Sequence, residues 1–210
     1  MDYIDEIREL GQKAFSLGIK GHLNEHRQSM PFEPVATMQQ VREFERDLCL
    51  QLPEPFVRYL TEIGNGGVGA DYGIYSLDTI RERQTSTYLK TKDWKVMLDH
   101  SLSDAQWSAF AQKYVALDEN CEFASDEDAE EIWNALYEMQ LQMMAGGIFI
   151  STPGCTMNTI LMCRGDATGE VFVLDWDYME QVHSEPWCGG KFEDWMLRDL
   201  RRNLEKAGLH

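Results

Sequence analysis

Two observations predict an α+β fold for this 210-residue chain, a small, mainly antiparallel sheet flanked by several helices in one domain. Helical spacing recurs in the first third of the chain and again at its end. Between Ile148 and Leu174 the pattern changes to short apolar runs, the last two separated by a glycine-bounded turn.

Taken in order, Ile7, Leu10, Ala14 and Leu17 recur at spacings of three and four and predict a first helix that frays at Gly18 and Gly21. A loop with Pro31 and Pro34 follows. Thr37 and Gln40 stand in capping-box relation, and Met38, Val41, Phe44 and Leu48 share a face of a second helix that ends before Pro53. Pro53 and Pro55 open a third, short helix with Phe56, Val57, Leu60 and Ile63 inward. Gly64-Asn65-Gly66-Gly67-Val68-Gly69 stops it, with Gly64 or Asn65 expected in the left-handed region, and Tyr72 to Leu77 is the first strand candidate. Asp78 to Lys95 is polar and carries no decisive period.

Ser103 and Gln106 form another capping box ahead of Trp107, Phe110, Ala111 and Tyr114, which predicts a helix. Asp118 to Asp128 reads as a solvated acidic loop. From Ala129 to Met144 a helix is apolar on more than one face, so it is buried on two sides or offers a surface to a partner. Gly146-Gly147 breaks it. Ile148–Ile150, Thr159–Cys163 and Val171–Leu174 are strands, the last two paired antiparallel through Gly165–Gly169. A closing helix places Phe192, Trp195, Met196 and Leu200 on one face and Arg198, Arg201, Arg202 and Lys206 toward its C-terminal end, where they complement the dipole.

The formal charge is −17, and it is unevenly spread. Between Tyr114 and Gly190 fifteen acids face a single base, Arg164, for a net −14, while the remaining 21 acids and 18 bases leave only −3. Phosphate binding needs clustered Lys and Arg, so nucleic acid is excluded as the expected partner and a basic protein is favoured. No run reaches the ~18 apolar residues of a membrane span, and Met1-Asp2-Tyr3-Ile4-Asp5-Glu6 is acidic where a secretory leader is basic; a cytoplasmic protein is expected. Cys49, Cys121, Cys155, Cys163 and Cys188 are odd in number and never in C-x-x-C spacing, which predicts reduced, mostly buried thiols.

The block Phe44-Glu45, Leu48, Leu52-Pro53, Phe56, Tyr59-Leu60, Asn65-Gly66-Gly67 resembles the SUKH superfamily, named in part after Smi-type and Knr-type fungal cell-wall regulators. Two later segments are similar to its other anchors: the strand pair Gly154–Cys163 and Gly169–Asp175, and the closing Phe192-Glu193-Asp194-Trp195-Met196. Each motif is degenerate; order and spacing carry the likeness. The resemblance implies a single SUKH-like domain over 1–210, with Leu52, Pro53, Asn65, Gly66, Gly67, Phe192 and Trp195 as structural motif residues. It implies an immunity protein of a polymorphic toxin system that occludes a cognate toxin, with no cofactor. The alternative it implies is an intracellular adaptor or regulator of cell-wall or signalling functions. A helical extension over about 1–30 and an acidic insertion over about 81–145 exceed what a minimal family domain needs.

Three motifs invite a chemical reading. His22-Leu23-Asn24-Glu25-His26 matches H-x-x-E-H, in which two histidines one turn apart hold zinc and the glutamate acts as base. Gly18 and Gly21 before it, Pro31 after it and the lack of a third ligand favour a solvated polar linker over a small zinc hydrolase. Gly64–Gly69 satisfies G-x-G-x-x-G, yet it ends a helix and leads into a strand, the reverse of a dinucleotide fingerprint. Asp175-Trp176-Asp177 lacks a third acid or histidine and reads as a polar strand end; His100 and His183 stand alone. No enzyme is expected.

The acidic run reads either as a solvated loop or as an interface. Acids beside aromatic and methionine anchors favour the second. The expected partner-binding residues are Asp118, Glu119, Glu122, Asp126, Glu127, Asp128, Glu130, Trp133, Tyr137 and Met143, and the expected partner is a basic toxin, possibly a nuclease.

Overall fold

The helices follow from their caps. In the computed structural model, which describes residues 2–19, 30–86, 146–154, 157–175 and 187–208, helix α1 (Tyr3–Ser16) starts where the Asp2 carboxylate accepts the Ile4 N–H at 3.2 Å. It buries Ile4, Ile7, Gly11 and Ala14. Its end is a Schellman turn: Gly18 takes φ 75°, and the Gly18 and Ile19 amides return to the carbonyls of Phe15 and Ala14. Leu17, expected on the inner face, lies beyond the last helical residue and is 46% exposed.

Helix α2 (Met38–Asp47) has its capping box in place, with the Gln40 N–H donating to Thr37 Oγ1 at 3.2 Å and the Thr37 N–H donating to Gln40 Oε1 at 2.8 Å. Val41, Phe44 and Leu48 are buried. Met38 is exposed, because the side chain of a first helical residue leans back past the covered face. Another Schellman turn ends α2, and here the left-handed position, φ 53°, is held by Cys49, which is exposed rather than buried.

Helix α3 (Glu54–Arg58) begins just after Pro53 and runs without a break into a π turn, Tyr59–Ile63, closed by the Gly64 N–H on the Tyr59 carbonyl at 3.1 Å. Tyr59, Leu60 and Ile63 are all buried. Carbonyls left without helical partners are used elsewhere: Leu60 O accepts the Ala36 N–H at 2.8 Å, and Glu62 O accepts from Arg8 at 3.1 Å.

Tyr72 to Leu77 does not form the expected strand. Asp71 (φ 54°) and Gly73 (φ 108°) bend it, Ile74 makes only an isolated bridge to Gly67, and Leu77 already opens helix α4 (Leu77–Ser86), which also settles the start of the ambiguous polar stretch. The segment instead covers the edge of the sheet. Tyr72 N–H and Tyr75 N–H donate to Thr152 O and Ile150 O at 3.1 and 2.9 Å, and Gln84 of α4, itself buried, accepts the Phe149 N–H at 3.1 Å.

The sheet is an antiparallel meander, β1 (Gly147–Gly154), β2 (Met157–Met162), β3 (Glu170–Asp175) and β4 (Trp187–Lys191), in that spatial order. Register is set by pairs such as Ile148↔Leu161 and Ile160↔Phe172, with a bulge between Val171 and Phe172 against β4. Ile148, Ile150, Leu161 and Val171 face the main core. Phe149, Ile160, Met162 and Phe172, on the opposite face, are buried as well. The fold is thus α+β, as the sequence predicts, with β4 an element the apolar pattern does not reveal.

Helix α5 (Phe192–Lys206) lies against α1 and closes the core. Its buried stripe is Phe192, Trp195, Met196, Asp199, Leu200 and Leu204. Phe192 meets Phe56 and Tyr59 edge-on at 5.2 and 5.9 Å, and Trp195 at 6.0 Å. Since Trp195 is 1% exposed, Trp195→Ala is expected to cost about 3–5 kcal/mol in a urea melt. Cys49→Gly, which relieves a left-handed side chain, is expected to stabilise by about 0.5–1 kcal/mol in the same assay.

Candidate functional site

Each polar residue of the motif block has a structural task. Glu45 Oε1 accepts the Leu52 N–H at 2.8 Å, so the carboxylate ties α2 to the link before Pro53. Asn65 Oδ1 accepts the Leu77 N–H at 3.0 Å and satisfies the first turn of α4. Gly66 and Gly67, at φ 106° and 130°, are the left-handed residues of the turn; Gly64 is extended at φ 178°, and Asn65 is not left-handed. A Cβ on Gly67 would lie 2.6 Å from Pro31 O and 2.8 Å from Phe32 Cα, so the residue must be bare. Leu52, Pro53, Gly66, Gly67, Phe192 and Trp195 are buried, and Asn65 is half-buried.

An ion-pair junction joins the N-terminus of α1 to α3. Arg58 Nη2 meets Asp2 Oδ2 at 2.6 Å, Arg58 Nε meets Glu62 Oε1 at 2.8 Å, and the guanidinium lies 5.0 Å from the centre of the Tyr3 ring. Hydrogen bonds from Arg58 hold the Asp2 and Glu62 carboxyls below the usual range. Burial, and then the charge of Glu54, pushes the Tyr3 phenol up to about 12.

A second acidic group lies between the Ala70–Gly73 turn, β2 and α5. Asp71 Oδ2 accepts the Thr159 hydroxyl at 2.5 Å. Asp199, 4% exposed, accepts the Asp71 N–H at 2.9 Å and the Asn203 side chain at 3.2 Å, and is bonded by Arg202. Burial pushes the Asp71 carboxyl up to about 6; the Thr159 bond and Arg202 oppose the rise and the charge of Asp199 adds to it. Asp199 was missed in the sequence reading; its place on the stripe of Trp195, Met196 and Leu200 is the signal that could have found it, but nothing in the sequence pairs it with Asp71.

A groove of about 550 Å³ lies between the end of α2 and the end of β2, lined by Glu45, Arg46, Cys49, Leu50, Gln51, Cys163 and Arg164. Burial pushes the Cys163 thiol well above its ordinary value, so it is a poor nucleophile. Among the described residues no group of three or more His, Cys, Asp or Glu side chains is placed to hold a metal ion, and no helix is long and apolar enough to cross a membrane.

The sequence-predicted partner residues Asp118, Glu119, Glu122, Asp126, Glu127, Asp128, Glu130, Trp133, Tyr137 and Met143 lie outside the described residues, as do the expected helices 103–114 and 129–144 and the H-x-x-E-H residues His22, Glu25 and His26. Asp177, His100 and His183 lie there too. No family model, curated protein or solved structure matches the chain.

Leu52 is buried, so losing its acceptor strands an amide. Glu45→Ala is therefore expected to destabilise by about 1–3 kcal/mol, and Glu45→Gln, which keeps an amide oxygen in reach, by markedly less; paired urea melts of the two variants check the difference.

Proposed function

We propose that the chain is a non-enzymatic, protein-binding immunity protein of the SUKH type that neutralises a cognate bacterial toxin by occluding its toxin domain. The observation that carries this reading is the convergence of the three motif segments on one another. Phe56 and Tyr59 of the first segment pack on Phe192 of the third, and the Phe192 N–H donates at 3.0 Å to the Gly169 carbonyl at the start of the second strand segment. The motif residues thus serve the scaffold, with Glu45 and Asn65 bonded inside it. That division of labour suits a binding domain, in which a stiff frame carries a separate recognition surface.

The charge distribution supports a basic partner. With −14 of the −17 between Tyr114 and Gly190, the chain steers a cationic toxin, such as a nuclease, by long-range attraction, and burial of aromatic and methionine anchors then slows dissociation. The protein remains in the cytoplasm, where the toxin acts.

Changing Asp126, Glu127 and Asp128 together to Lys is expected to slow association several-fold at low salt, with the gap closing as salt rises and dissociation almost unchanged. Stopped-flow kinetics with the toxin domain encoded beside this chain, together with survival of cells expressing both, measures it. Survival and association rates that ignore the charge reversal would leave the acidic run a solvated surface, and failure to form any complex with that domain would remove the immunity reading.

A further inference from the structure

Asp71 and Asp199 bring two carboxylates to a single junction, and the described residues supply it with one cation. Thr159 of β2 donates to Asp71, while Arg202, Asn203 and the Asp71 amide all serve Asp199. The other charged or titratable groups facing Asp71 among the described residues are Tyr75, on its own segment, and beyond it Arg83 of α4, whose guanidinium lies 4.4 Å from the centre of the Tyr75 ring. Among the described residues Arg202 is the cation that acts on the Asp71 carboxylate, which also sits on a left-handed backbone at φ 54°.

We propose that this junction is a proton-operated latch: with a proton on Asp71 the Ala70–Gly73 turn is held firmly between β2 and α5, and loss of that proton places two negative charges in the joint and loosens it. The turn leads directly into the segment covering β1, through Tyr72 N–H on Thr152 O, Tyr75 N–H on Ile150 O and the Ser151 hydroxyl on Gly73 O at 2.6 Å. The charge state of Asp71 therefore sets how readily the cover on the β1 edge opens.

The sign follows from linkage. The folded-state value of about 6 lies above the ordinary 3.8, so the closed joint binds the proton more tightly than the open one, and closure strengthens as pH falls through 6 toward 4. Between pH 8 and pH 5 the closed-to-open ratio rises about tenfold. An overall charge of −17 also favours folding at lower pH, but through repulsion spread over the molecule and screened by salt.

Hydrogen exchange of the full chain, corrected for intrinsic rate, separates the two. Protection at the Tyr72 and Tyr75 amides is expected to rise about tenfold from pH 8 to pH 5 in 0.5 M salt, well beyond any change at the α1 amides. Asp71→Asn should abolish the local rise and hold the segment closed at pH 8. Thr159→Val, which removes the bond that lowers the Asp71 value, should move the midpoint to higher pH; a purely structural role for Thr159 would change protection without moving the midpoint. A rise that persists in Asp71→Asn, or that is equal throughout α1, overturns the latch.

Discussion

The fold depends on Phe192. Its N–H on Gly169 anchors the start of α5 at the foot of β3, and its ring fills the space between Phe56, Tyr59 and Trp195. Aromatic pairs of this kind contribute about 0.5–1.5 kcal/mol each beyond the area they bury. Once the first turn of α5 is placed, the rest of the helix has one available course. It lies against α1, where Arg201 pairs with Glu6, and it presents Met196 Sδ to the Ala70 N–H at 3.4 Å and Asp199 to the next amide. The sheet, the helices of the first third and the turn before α4 are all positioned from this one side chain outward.

Around that apolar centre, single polar side chains stand in for secondary structure where backbone groups would otherwise be stranded. Glu45 serves the amide before Pro53, Asn65 the first amide of α4, and Gln84 an amide on the outer edge of β1. Each takes one buried donor that has no backbone acceptor, and an unmade bond of this type costs more than a made one contributes. Specificity of the fold therefore comes partly from a few carboxylates and amides at fixed positions, while the apolar residues supply most of the driving force.

Much of the architecture was legible in the sequence, for identifiable reasons. The Thr37–Gln40 box, Gly18 and the prolines at the start of α3 mark helix ends by local chemistry alone. The strands were readable as continuous apolar runs because both faces of the sheet are buried, which removes the alternation of a half-exposed sheet. What escaped was decided by distant partners. Tyr72–Leu77 is aromatic and apolar enough for a strand, but the bends at Asp71 and Gly73 leave it making single bonds to β1. Trp187–Lys191 holds two glycines and joins the sheet through pairing with β3. Met38 and Leu17 fit the helical period yet sit where each helix runs past its cover. The Asp71–Thr159–Asp199 group is assembled from three separate parts of the chain, so no spacing announces it. The acidic run and its aromatic anchors rest on sequence alone.

The contact between α1 and α5 has a consequence for the order of assembly. Glu6 and Arg201 are 195 residues apart, whereas the four strands pair with sequence neighbours in a simple meander. Closing a long loop costs chain entropy that grows slowly with length but must be met before the contact returns anything, so folding dominated by such contacts is slow. On a ribosome the chain emerges from its N-terminus at about 5–20 residues per second. Helix α1 can meet Phe32 and the Tyr59–Ile63 turn early in synthesis, but the part of its cover that α5 supplies arrives only after residue 192 has been made and α5 has left the exit tunnel.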